Sequence, residues 1–213
     1  MLSTPAKQEI DQRTMKLLVG LMALTLANLT SFFSNVSITS ISASYYQVGW
    51  SETIFVGFLF AIAAFLAAYN GQSRTEMLFS KVAGVAALGV ALFPCGCDGH
   101  DEIIKHVHAG SAAAMFLVLT YFCWLFYARA KAKGHTEAKV RAGIYAVCGF
   151  AIVLSIVAIV AYSMLSTETQ ASMPRFVFYG ERTGLWAFAL SWLTASRVLP
   201  GLSAPQERFN PLS

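Results

Sequence analysis

Six apolar segments, each separated from the next by a polar connection, dominate this chain of 213 residues. A helix needs about 20 mostly apolar residues to cross the hydrocarbon core of a bilayer, and each segment approaches that length. The predicted spans are Leu17–Phe33, Thr53–Tyr69, Met77–Phe93, Ala109–Tyr127, Ala142–Leu165 and Phe176–Leu199. The sequence therefore predicts an all-α, polytopic membrane protein, with six transmembrane helices in one compact bundle that forms a single domain.

The composition agrees with this class. Apolar residues make up 56% of the chain and charged residues only 12%, against roughly 45–50% and 25% in soluble domains. The net charge of +4 is confined to the ends of the spans, which is not the pattern of a nucleic-acid-binding surface. Membrane lipids are the predicted partners, and no nucleic acid is expected.

The basic residues of the connections alternate from one side of the bundle to the other. Twelve of the fifteen fall on one side: Lys7, Arg13, Lys16, Arg74, Lys81, Arg129, Lys131, Lys133, Lys139, Arg141, Arg197 and Arg208. The other side keeps Lys105, Arg175 and Arg182. Because Lys and Arg are enriched in cytoplasmic loops, we predict cytoplasmic termini in a cell membrane, with a bacterial inner membrane as the expected location.

The first segment also has features of a secretory signal peptide. A basic stretch precedes the apolar run Leu17 to Leu29, as in signal sequences. No small-residue cleavage site follows it, and the apolar character continues through Phe33. We therefore expect a retained span.

Small residues recur at helix-packing spacing in the second, third and fourth spans. They are Ala64 and Ala68, then Ala83, Ala87 and Ala91, and finally the run 110–114. Small side chains let helix backbones approach each other where lipid supplies no hydrophobic drive. Close packing of these three helices is predicted, and such faces would also suit a membrane-protein partner.

The connection between the third and fourth spans is rich in metal-ligating residue types. Cys95, Cys97, Asp98, His100 and Asp101 are candidate ligands for a transition metal such as zinc, which binds thiolate, imidazole and carboxylate groups. The Cys-x-Cys spacing is not a usual zinc spacing. The alternative is a simple turn in which Asp98 or Asp101 caps the fourth helix.

The redox state of the two cysteines is a separate question. Cys95 and Cys97 have only one residue between them, so a disulfide joining them would be strained and labile. Free thiols and metal ligation are the other options, and a stable structural disulfide is the least expected outcome.

Ionisable residues near the head of the sixth span form the second candidate site. Glu181 and Arg182 lie five and six residues into the apolar stretch, and charged groups inside a span are by default functional candidates. The alternative is that the span begins near Thr183, which would leave both charges among the headgroups. By orientation they share a level with His106 and His108, so the predicted catalytic cluster is His106, His108 and Glu181. Glu181 is expected to pair with Arg182 or His108, beneath a lid formed by residues 34–52.

Four stretches of the chain resemble a known group of proteins: SISASYYQVGWSETIFVGFLFAIAAFLAAYNG, VAGVAALGVALFPC, HVHAGSAAAMF and GERTGLWAFALSW. The chain resembles, from about Ser40 to Arg197, an uncharacterised family of six-span bacterial membrane proteins that is distantly similar to the Frag/DRAM/Sfk membrane proteins. The resemblance implies a six-helix fold with a polar site around His106, His108 and Glu181 at the outer leaflet, and it makes a lipid-directed role an expectation. Cys95-Gly96-Cys97 departs from the family pattern, in which Thr more often follows the proline.

Three functions remain open from the sequence. The first is binding or handling of a lipid-like or amphipathic molecule at the outer-leaflet polar site, with hydrolysis by His106 or His108 as general base as its enzymatic form. The second is a non-catalytic membrane subunit, sensor or scaffold. The third is a small transporter.

Overall fold

The computed structural model describes residues 11–209, and within this range every regular element is a helix. The α-helices are α1 Gln12–Phe33, α2 Trp50–Ala68, α3 Arg74–Leu92, α4 Val107–Lys133, α5 Thr136–Ser163, α6 Thr167–Ser172 and α7 Phe176–Ser196. Two short 3-10 helices cover Ser42–Tyr46 and Pro205–Glu207. The predicted all-α fold is confirmed.

Several helices extend beyond the apolar segments that predicted them. α1 begins five residues before Leu17, because the Asp11 side chain accepts a hydrogen bond from the Arg13 backbone N–H and caps the helix. α5 begins at Thr136, capped by the His135 ring, which accepts from the Ala138 N–H. Helical hydrogen bonding continues until a cap or a glycine ends it, whereas apolar character marks only the part inside the hydrocarbon.

Six long helices form a closed ring in the order α1, α2, α3, α4, α5 and α7. Each of them contacts its neighbours in this order, and α7 closes the ring by packing against both α5 and α1. Successive helices run in opposite directions, so the connections gather at two ends. We call the end with residues 34–49, 93–106 and 164–175 the polar-loop end, and the end with residues 11–16, 69–74, 133–141 and 197–209 the basic end.

The outer surface of the ring is strongly apolar. Val147, Phe150, Leu154 and Val157 on α5 each expose more than half of their surface, and other helices expose Leu117, Trp124 and Val85 in the same way. Such a surface is unfavourable in water but suits a lipid environment. Five helices, α1 to α5, are long and apolar enough to cross a membrane, which is the composition of a multi-pass membrane protein.

The sixth predicted span corresponds to α7, which is not among those five helices. Its 21 residues would suffice in length, but Glu181 and Arg182 reduce its apolar character. α7 is also the helix with the most buried residues, so neighbouring helices rather than lipid surround much of it. By length and composition, five helices within residues 11–209 have membrane-spanning character.

The packing of small residues was predicted in part correctly. Ala83, Ala87 and Ala91 of α3 are buried, as expected for a helix-packing face. The prediction for α2 was wrong, because Ala64 and Ala68 are exposed. The adjacent Ala63 is buried instead, and its carbonyl oxygen approaches Gly84 so closely that a Cβ there would lie 3.1 Å from it.

Candidate functional site

The connection between α1 and α2 folds back into the polar-loop end of the bundle. Ile38 and Ile41 are buried there, and the following 3-10 helix begins with the buried Ser42. Glu181 of α7 holds the start of this 3-10 helix, because Glu181 Oε2 accepts a hydrogen bond of 2.5 Å from the Ile41 backbone N–H. The connection of residues 34–52, which was predicted to form a lid over the polar cluster, thus contributes the side chain of Ser42 to the cluster itself.

His108 lies opposite Ser42 in the first turn of α4. Its Nε2 is 2.9 Å from Ser42 Oγ and its Nδ1 is 2.7 Å from the carbonyl oxygen of Phe93. A carbonyl can only accept, so Nδ1 must carry the proton, and Nε2 is left to accept from the serine hydroxyl. This places a neutral imidazole base against a hydroxyl, which is the geometry that activates a serine nucleophile.

His106 takes no part in this arrangement. It precedes α4 in a left-handed conformation with φ 64°, its side chain is exposed, and it faces a groove between α3 and α4 rather than Ser42. The prediction that both histidines share one cluster was therefore wrong. The left-handed residue turns the chain between them, so that only His108 points inward.

A cavity of about 380 Å³ opens beside the Ser42–His108 pair. Its polar end consists of Ser40, Ser42, His108 and Glu181, and its walls are apolar side chains of α4, α5 and α7, including Phe116, Ile156, Ile159 and Val177. Ala113 and Val160, which also line it, are exposed on the surface of the ring. The cavity therefore connects a polar end with the apolar surface between α4 and α5.

Glu181 and Arg182 do not form the predicted ion pair. Among the described residues Glu181 has a backbone partner, Ile41, and the Arg182 guanidinium lies over aromatic rings of its own helix. The guanidinium carbon is 4.7 Å from the ring centre of Trp186 and 5.0 Å from that of Tyr179. Adjacent positions on a helix point in different directions, so Glu181 enters the site and Arg182 leaves it.

The predicted metal ligands do not assemble into a metal site. Cys95 and Cys97 are joined by a disulfide, one of the three states that the sequence left open, and this bond removes both thiolates. Asp98 accepts a 2.8 Å hydrogen bond from Thr39 Oγ1, and the His100 ring stacks on Tyr46 with 3.8 Å between ring centres. Across residues 11–209, no group of three His, Cys, Asp or Glu side chains is placed to hold a metal ion. This prediction is corrected.

The expected cap of α4 also differs. The carboxylate that holds the turn is Glu102, whose Oε2 accepts from the His106 backbone N–H at 2.6 Å, whereas neither Asp98 nor Asp101 caps the helix. Nearby, Tyr46 donates a 2.7 Å hydrogen bond to the Cys95 carbonyl. Partial burial, together with the neighbouring Tyr45 and the acidic side chains of this loop, raises the pKa of the Tyr46 hydroxyl.

Ser42 is the residue that sequence reasoning missed. It lies in a serine-rich connection, where Ser37, Ser40, Ser42 and Ser44 are equivalent by pattern, and 66 positions separate it from His108. Ile41, which directly precedes Ser42, contacts Glu181 far along the chain. The local sequence around either residue gives no signal of this contact.

Comparisons with protein families, curated proteins and solved structures found no match to this chain.

Proposed function

We propose that this protein spans the membrane six times and binds the polar end of a lipid-like, amphipathic molecule in the cavity beside Ser42 and His108. The observation that carries the proposal is the combination of one polar end with apolar walls in a cavity that reaches the outer surface of the ring. Ligand sites are mostly apolar clefts of about 300–1,000 Å³ with a few convergent polar groups. A headgroup at Ser42 and His108 would leave its chain between α4 and α5.

The six-span arrangement rests on the position of α7 in the ring. α7 packs along both α1 and α5, and its 21 residues span about 30 Å at 1.5 Å per residue. If α1 to α5 cross the bilayer, a helix that lies alongside two of them crosses it as well. The basic asymmetry favours an orientation in which the polar-loop end, and with it the cavity, lies at the outer leaflet.

Lipid retention by cavity-filling variants tests the binding proposal. The protein is purified in a mild detergent, and the co-purifying lipids are extracted and quantified by mass spectrometry. Ala113→Phe fills the cavity wall and should reduce one lipid class several-fold. Leu117→Phe, one turn further along α4 on an exposed position, is the matched control and should retain it. Equal lipid content in the parent and both variants would contradict the proposal.

A specific observation supports an enzymatic form of this function. The hydrogen bond from Ser42 Oγ to His108 Nε2, with Nδ1 held by Phe93, has the arrangement that a nucleophile–base pair needs for acyl transfer. In ester hydrolysis, Ser42 Oγ would bond to the acyl carbon while its proton moves to His108. That proton would then pass to the leaving alcohol, and water would release the acid. Glu181 acts here as a positioning residue. It accepts a hydrogen bond from the N–H of Ile41, the residue directly before the nucleophile, and the described contacts of His108 are with Ser42 and Phe93 instead.

A fluorophosphonate probe that reacts with activated serines distinguishes this form from simple binding. The parent should be labelled at Ser42, and Ser42→Ala should abolish labelling. Ser44→Ala removes a buried hydroxyl of the same 3-10 helix that has no hydrogen-bond partner in the described part of the chain, and it should leave labelling unchanged. An unlabelled parent that still retains lipid would restrict the site to binding.

A further inference from the structure

A second cavity, of about 390 Å³, lies at the basic end of the ring and is independent of the site described above. Its polar wall comes from the start of α1, the end of α4, the end of α7 and the C-terminal segment. Five basic residues line it: Arg13, Lys16, Arg129, Lys133 and Arg197. Asp11 and Glu207 are the acidic residues of the wall, so the described wall carries an excess of three positive charges.

The carboxylates near this cavity are already engaged. Glu76, which is fully buried, binds both terminal nitrogens of Arg129 at 3.1 and 2.6 Å and accepts from Tyr69. Glu207 is shared by Lys133, Arg141 and Arg197. Asp11 caps α1 through the Arg13 backbone. Within residues 11–209 the carboxylates at this cavity are therefore fewer than its cations.

Two cationic groups of this wall have largely buried side chains that lack hydrogen-bond partners among residues 11–209. Lys16 exposes only 8% of its surface, and the neighbours of its ammonium are the rings of Tyr69 and Phe126, at 5.3 and 5.1 Å from the ring centres. Arg197 Nη1 is buried without an acceptor in hydrogen-bonding distance and lies 3.6 Å from Glu207. Lys16 has no ion-pair partner among the described residues, and Arg197 shares Glu207 with Lys133 and Arg141. Incomplete compensation of a buried cation is costly, so both groups point to a negatively charged occupant.

Basic residues in loops set the orientation of a membrane protein, but this role does not explain why the charged groups of Lys16 and Arg197 are buried. Lys131 and Lys139 at the same end are exposed and suffice for such a role, since loop charge acts without burial. Lys16 and Arg197 instead face a polar cavity inside the ring. We propose that this cavity binds a compact, multiply charged anion, with a phosphate group as the chemistry that Arg and Lys donors fit best.

The phosphate could belong to a free anion or to an anionic lipid headgroup, and two arms of one experiment separate these sources. In the first, the full chain in zwitterionic detergent is titrated with inorganic phosphate, with sodium chloride at matched ionic strength as reference, and its melting temperature is followed. In the second, the protein is compared in nanodiscs of phosphatidylcholine with and without phosphatidylglycerol. Phosphate, phosphatidylglycerol or both should raise the melting temperature beyond the salt reference.

Three variants decide whether the effect arises in this cavity. Lys16→Gln and Arg197→Gln should each weaken the apparent affinity about tenfold, the value of one charge-assisted hydrogen bond. Lys139→Gln, which removes one charge from the same end outside the cavity, should leave it unchanged. Because Lys16 is buried without a hydrogen-bond or ion-pair partner among residues 11–209, Lys16→Gln should also melt no lower than the parent in the absence of phosphate. An effect that is absent in both arms, or equal in all three variants, would overturn the proposal.

Discussion

His108 Nε2 on α4 lies 2.9 Å from Ser42 Oγ in the connection between α1 and α2, and the same ring is held from its other side by the Phe93 carbonyl. The imidazole thus ties together three segments at the polar-loop end. Its removal leaves a buried hydroxyl and a carbonyl without this partner, and each such group costs about 1–3 kcal/mol.

We expect His108→Ala to lower the melting temperature by several degrees, because both hydrogen bonds are lost at once. The measurement is thermal unfolding in detergent, followed by intrinsic fluorescence. His106→Asn is the matched control, since His106 is exposed and Asn tolerates its left-handed backbone. Equal loss in the two variants would show that the His108 contacts contribute nothing specific.

Substitutions of Glu181 test its hydrogen bond with the Ile41 N–H, which stands in place of the predicted pairing with Arg182 or His108. Its Oε2 accepts from the neutral Ile41 N–H, not from a cation, so Glu181→Gln can keep an acceptor and should melt close to the parent. Glu181→Ala leaves the N–H unpaired and should cost about 1–3 kcal/mol. Arg182→Gln loses the contact of a half-buried guanidinium with aromatic rings, which should cost roughly 0.5–1 kcal/mol. A Gln variant as unstable as the Ala variant would indicate that the charge of Glu181 matters.

The Glu76–Arg129 pair joins α3 and α4 at the basic end, where the Glu76 side chain is fully buried and that of Arg129 is 28% exposed. Breaking a buried pair costs about 3–5 kcal/mol, and the exposure of Arg129 places Glu76→Gln at the lower end of this range. Tyr69→Phe removes one neutral donor to the same carboxylate and should cost only about 1 kcal/mol. Thermal unfolding should therefore rank Glu76→Gln below Tyr69→Phe.

The lowered pKa of Glu207 predicts how the stability of the C-terminal segment depends on pH. Partial burial alone would raise its pKa, but the hydrogen bond from Lys133 and the charges of Arg197 and Arg141 outweigh this and lower the pKa to about 2. A carboxyl with a lowered pKa stabilises the folded state above its ordinary value of 4.5, and this contribution disappears as the pH falls towards 2. Exchange of the Phe209 amide, which donates to the Arg197 carbonyl, should stay protected at pH 5 and lose protection below about 4.5. In Glu207→Gln the amide should be less protected than in the parent at pH 5, and this difference should vanish as the pH falls towards 2.

Reporter fusions test the predicted topology. Fusions after Gly134 and at the C-terminus should both report the cytoplasm, and a fusion after Gly99 should report the outside, because the basic residues concentrate at one end of the ring. An external C-terminus would require an odd number of spans. It would show that α7 does not cross the bilayer.

The sequence by itself determined the helical class and the order of the long helices. Runs of apolar residues such as those in α4 and α5 leave the backbone no partner in lipid except itself, so they must be helical wherever they lie. The sequence also identified Glu181 and His108 as residues of interest, since an ionisable group at the head of a span is rare enough to be noticed without a structure. Such features depend on local composition, which a sequence displays directly.

Only the tertiary structure decided which of these groups meet. Ser42 approaches His108 across 66 positions, Glu181 reaches Ile41 across 140, and Lys16 lies over Tyr69 and Phe126 from two other helices. The closure of the ring by α7 sets these contacts, and the left-handed turn at His106 separates His106 from His108. The physical reason is that a helix fixes the directions of its side chains relative to its own axis, while the packing of neighbouring helices and connections fixes what those side chains face.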